Sequence, residues 1–65
     1  MIEALWEALL SEEPPRIRRA WLDLPDDEAS AVLEHLKRMA TEPGWAEGQR
    51  LSAATALRVI RGLAE

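Results

Sequence analysis

The sequence predicts an all-α fold, a compact bundle of about four short helices joined by Pro/Gly turns. Three observations carry this. Apolar residues recur at helical spacing in four separate stretches, prolines and a Pro-Gly pair punctuate the gaps between them, and no stretch alternates with the period of two that a strand requires. A chain of 65 residues holds a single domain, spanning positions 1–65.

Ile2, Leu5, Trp6, Leu9 and Leu10 form the first stripe, which Pro14-Pro15 is expected to end by removing backbone donors and driving the preceding residue out of helical geometry. A second helix is expected from Pro15 to Leu22, with Ile17, Ala20, Trp21 and Leu24 facing inward. In the third, Asp26, Asp27 and Glu28 sit at the positive end of the helix dipole, while Lys37 and Arg38 sit near the negative end. Ala29, Val32, Leu33, Leu36 and Ala40 are its expected buried stripe, and Glu34 to Arg38 is an i,i+4 pair on the wet side. Glu42-Pro43-Gly44 makes a turn, and the fourth stripe is read as Leu51, Ala54, Leu57, Ile60 and Ala64. That helix begins either near Trp45 or at Ser52. Residues 1–13 hold Glu3, Glu7, Glu12 and Glu13 and no base, whereas the fourth helix carries Arg50, Arg58 and Arg61. Helices one and four are therefore expected to be neighbours.

The composition excludes several kinds of chemistry. With no cysteine, neither a disulfide nor a thiolate metal site is possible, so a domain this small is expected to gain extra stability by self-association, as a homodimer. With one histidine and no cysteine no catalytic triad is expected, and His35, between Glu34 and Lys37, is expected to be solvated. Asp26-Asp27-Glu28 has its explanation as a helix start. Gly44, Gly48 and Gly62 are too scattered for a phosphate cradle. No catalysis, cofactor, metal or small-molecule substrate is expected. The acidic N-terminal stretch and the lack of any apolar run near 18 residues suggest a cytoplasmic protein with no membrane role.

What remains is binding to a macromolecule, and the expectation is a small acidic protein–protein interaction module of net charge −4, either a homodimer or a subunit that docks on a larger protein. Trp6 and Trp21 lie in register with their stripes and are expected in the core, while Trp45 either plugs the core or stands at a contact. Met39, at a stripe edge, either fills the core or contributes to an adaptable contact surface. Arg16, Arg18 and Arg19 form a basic run that pairs with Asp23 and Asp26 or meets an acidic partner. The candidate protein-binding residues are thus Trp45, Met39, Arg16, Arg18 and Arg19.

The alternative is DNA binding. The stretch Leu51-Ser52-Ala53-Ala54-Thr55-Ala56-Leu57-Arg58-Val59-Ile60-Arg61-Gly62 resembles the second helix of the helix-turn-helix in the lactose-repressor family, with a small residue and Ser opening the helix, Thr three positions later and Arg-Val-Ile near its end. The resemblance implies that Arg50, Ser52, Ala53 and Thr55 face base edges or phosphates, with Arg58 on the flank. A helix-turn-helix built from helices two and three is excluded, because Asp26-Asp27-Glu28 would meet the DNA.

Overall fold

In a computed structural model describing residues 2–64, with the side chains of residues 4–63, the chain is all-α: α1 (Ile2–Leu9), α2 (Pro14–Leu22), α3 (Asp26–Thr41) and α4 (Glu47–Ala64). The Cα radius of gyration is 10.8 Å, matching the roughly 10.7 Å of a compactly folded chain of this length. The side chains of Ile2 and Ala64, expected at the ends of two stripes, lie outside the described residues.

α1 stops before the prolines expected to end it. Ser11 Oγ donates to the Ala8 carbonyl at 2.7 Å and accepts from the Glu13 N–H at 3.2 Å, so one hydroxyl satisfies groups on both sides of the break. Between them Glu12 takes φ 62°, left-handed backbone that costs a non-glycine residue about 1–2 kcal/mol. The prolines act one step later. Pro14 holds Glu13 extended at φ −109°, ψ 107°, which makes Glu13 the N-cap and starts α2 one residue earlier than expected.

α3 starts at Asp26 as expected, yet Asp26, Asp27 and Glu28 do not cap it through side chains. Its N-cap is Pro25, with no side-chain capping bond, so the three carboxylates act only through the dipole. On the wet side Glu34 pairs with Lys37 at 3.7 Å, in place of the expected Arg38. Both side chains are at least half exposed, so the pair contributes about 0–1 kcal/mol.

α4 begins near Trp45, not at Ser52, and Gly48 lies inside it. The Arg50 N–H donates to the Ala46 carbonyl at 3.0 Å, which makes Ala46 the N-cap, and Gln49 Oε1 accepts from the Ala46 N–H at 3.3 Å. This is one half of a capping box; the other half needs a hydroxyl at position 46. Ala46→Ser is therefore expected to stabilise the domain by about 0.5–2 kcal/mol, raising the thermal midpoint by several degrees in a circular-dichroism melt. An unchanged or lowered midpoint would mean that α4 does not start here.

The buried face of α4 differs from the expected stripe. Ala53, Ala56, Leu57 and Ile60 are buried, whereas Leu51 is 58% exposed and Ala54 is exposed as well. The reason lies in helical geometry. Residues at a constant spacing of three walk around the helix by about 60° per step, so Leu51, Ala54, Leu57 and Ile60 cannot share one face. Ala53, Ala56, Leu57 and Ile60, at i, i+3, i+4 and i+7, can.

α4 packs against α3 and α2, and α1 packs against α2. Leu9, Ile17, Val32, Leu36 and Met39 complete the core, so every helix supplies at least one fully buried residue. Among the described residues no polar side chain is buried without a hydrogen-bond partner. Helix one is not the principal neighbour of helix four; α4 is instead tied to the turn after α1 by a hydrogen bond from Ser52 Oγ to Glu12 Oε2 at 3.0 Å. Among the described residues no helix is long and apolar enough to cross a membrane.

Candidate functional site

A groove of about 460 Å³ lies where α1, α2 and α3 meet. Leu5 and Trp6 come from α1, Ala20 from α2, Asp23 and Leu24 from the turn after it, and Glu28, Ala31 and Val32 from α3. Local sequence accounts for much of this. Ala20 stands in the last turn of α2 and Leu24 in the turn that follows, four residues on, while Glu28, Ala31 and Val32 share a face of α3 by helical spacing. Asp23 ends α2 as its C-cap, its N–H bonded to the Trp21 carbonyl, and Pro25 turns the chain straight into α3. Both acids thus stand beside the groove while the apolar side chains line it. Asp23 and Glu28 are exposed, Leu5, Trp6 and Leu24 half-buried.

Trp6 belongs to a second feature as well. His35 on α3 lies edge-on to Trp6, with ring centroids 5.0 Å apart, and edge-on to Trp45 at 5.7 Å. The histidine expected in solvent is instead half-buried, joining α1, α3 and the α3–α4 turn in one aromatic row. Such pairs contribute about 0.5–1.5 kcal/mol each beyond area burial. Trp45 in this row is half-buried and packs against the core, with its indole N–H donating to Glu42 Oε1 at 3.3 Å.

The remaining candidate protein-binding residues do not form one surface. Met39 is 3% exposed and fills the core, which removes it from any contact surface. Arg16 pairs with Glu13 at 3.4 Å, not with Asp23 or Asp26. Arg18 and Arg19 are exposed and make no ion pair among the described residues. Beside them on α2 is Leu22, 70% exposed. Trp21 is half-buried against the core, as its register implied.

The residues of the DNA-binding alternative are dispersed too. Ala53 is fully buried and cannot meet a base edge. Ser52 is half-buried and donates to the Glu12 carboxylate, which places a negative charge where a phosphate would have to come. Thr55 is half-buried, and only Arg50 and Arg58 stand free in solvent.

No protein-family model, curated protein or solved structure matches this chain. The geometry must carry the reading alone.

The groove offers an apolar surface with a pair of solvated carboxylates, and no hydroxyl, thiol or imidazole lines it. Among the described residues no cluster of His, Cys, Asp and Glu has the arrangement to hold a metal ion. The sequence reading missed this site. Its residues were assigned one by one to helix stripes and a helix start, and only the crossing of three helices puts them around a common space. The one signal available beforehand was the presence of acids, Asp23 and Glu28 among them, on both sides of the Leu24-Pro25 turn.

Proposed function

We propose that this protein is a non-catalytic protein-interaction module whose docking surface is the groove between α1, α2 and α3. The observation that carries the reading is the groove's chemistry, apolar walls beside Asp23 and Glu28, with the further acids Asp26 and Asp27 in the first turn of α3 nearby. The complementary occupant is a segment of another protein that presents an apolar side chain flanked by arginine or lysine. Burial of that side chain against Leu5, Trp6, Leu24 and Val32 supplies the affinity. The carboxylates select the sign of the neighbouring charges and speed the encounter, an effect that weakens as salt rises.

The test uses a helical peptide with a leucine face flanked by arginines, and a second peptide with glutamates in the arginine positions. Binding is followed through the backbone amide resonances of the uniformly labelled protein. The basic peptide is expected to shift Ala20, Leu24, Ala31 and Val32, and the acidic one to leave them in place. Ala31 is exposed and lines the groove, so Ala31→Trp is expected to fill the groove and abolish the shifts without unfolding the domain. Equal responses to both peptides, or shifts confined to another face, would refute the proposal.

A further inference from the structure

The exposed face of α4 carries a second pattern, on the side away from the core. Glu47, Leu51, Ala54 and Arg58 are all exposed, and their spacing of four, three and four residues keeps them in one stripe. That is the spacing of a seam between two paired helices. We infer that this stripe pairs with its own copy, antiparallel, to form a twofold-symmetric dimer.

Self-complementarity singles out the second copy as occupant. A twofold contact requires that if one residue meets another, the second also meets the first. Leu51 and Ala54 lie equally far from a point midway between Ser52 and Ala53, and so do Glu47 and Arg58. With the axis at that point, each Leu51 faces Ala54 of the second copy, and each Glu47 faces Arg58 of the second copy. A large side chain meets a small one twice, and an acid meets a base twice. Among the described residues neither Glu47 nor Arg58 has an ion-pair partner within its own chain. Ala40, Glu47, Arg50, Leu51 and Ala54 also line a depression of about 370 Å³ between α3 and α4, which suits the Leu51 side chain of the second copy. A cysteine-free domain of this size gains the stabilisation that its small core cannot supply.

A contact centred on one helix pair falls below about 1,200 Å², the range of weak and transient interfaces, so a Kd on the order of 10–100 µM is expected. Sedimentation equilibrium on the untagged chain from about 1 µM to 1 mM tests it. Leu51→Lys is expected to raise Kd by about tenfold or more, with a circular-dichroism spectrum at low concentration like that of the parent. Glu47→Arg and Arg58→Glu are each expected to weaken the dimer, by setting like charges opposite one another, and the double variant to restore it to within about threefold. A monomer throughout the concentration range would overturn the proposal. So would a dimer indifferent to Leu51→Lys, and failure of the double variant to recover would overturn the antiparallel register. The test is independent of the groove between α1, α2 and α3, which shares no lining residue with this stripe.

Discussion

Leu36→Ala is expected to leave little folded protein at 25 °C. Leu36 is fully buried at the centre of α3, the helix that packs most extensively on α4. Removing its side chain beyond Cβ costs the transfer free energy of the lost carbons together with a cavity term, about 2–5 kcal/mol in all. A single core in a domain of this length supplies only about 3–5 kcal/mol of net stability, so the loss is comparable to the whole. Chemical denaturation monitored by circular dichroism checks this, with Leu22→Ala beside it. Leu22 is 70% exposed, and its truncation is expected to change stability by no more than about 0.5 kcal/mol. If the two variants melt alike, the placement of Leu36 at the centre of the core is wrong.

The second large effect is expected at Ala53. Its side chain has no exposed surface, and the neighbouring core is composed of aliphatic groups and Met39. Ala53→Asp would put a carboxylate there with no partner in reach, at a cost of several kcal/mol, more than the domain's net stability. Ala54→Asp, one residue on and exposed, changes little beyond helix propensity, about 0.7 kcal/mol or less, when measured below the dimerising concentration. An unfolded Ala53 variant beside a folded Ala54 variant would establish the observed orientation of α4. The reverse result would restore the stripe first read from the sequence, and with it an exposed Ala53 of the kind the DNA-binding resemblance needs. The pair of variants thus bears on function as well as on packing.

The fold class, the number of helices and their approximate ends were legible in the sequence because they depend on local physics. Prolines restrict the residue before them, acids favour helix starts, and spacings of three and four residues line one face whatever the rest of the chain does. Val32, Leu33 and Leu36 on α3, and Ile17 on α2, lie buried or half-buried as that spacing implies. Errors arose where two local readings were both possible. On α4 six alanines and leucines lie from Leu51 to Leu63, so more than one stripe can be drawn through them. Only the one that stays on a single face can pack. On α1 the break came from Ser11 and Glu12, and a glutamate in left-handed backbone carries no advance signal.

The site was far less legible than the fold. Nothing near His35 in the sequence announces Trp6 or Trp45, which come from 29 residues before it and ten after it. Asp23 and Glu28 read as chain punctuation until the fold sets them around one groove with Leu5 and Trp6. By itself the sequence determined four helices, a cysteine-free core and a net negative surface, because propensity, periodicity and charge are properties of neighbours along the chain. The tertiary structure alone decided which face of α4 is buried, what surrounds His35 and where an open apolar groove lies. Those outcomes depend on how helices distant in sequence pack against one another, and burial, unlike periodicity, is a property of the whole assembly of helices.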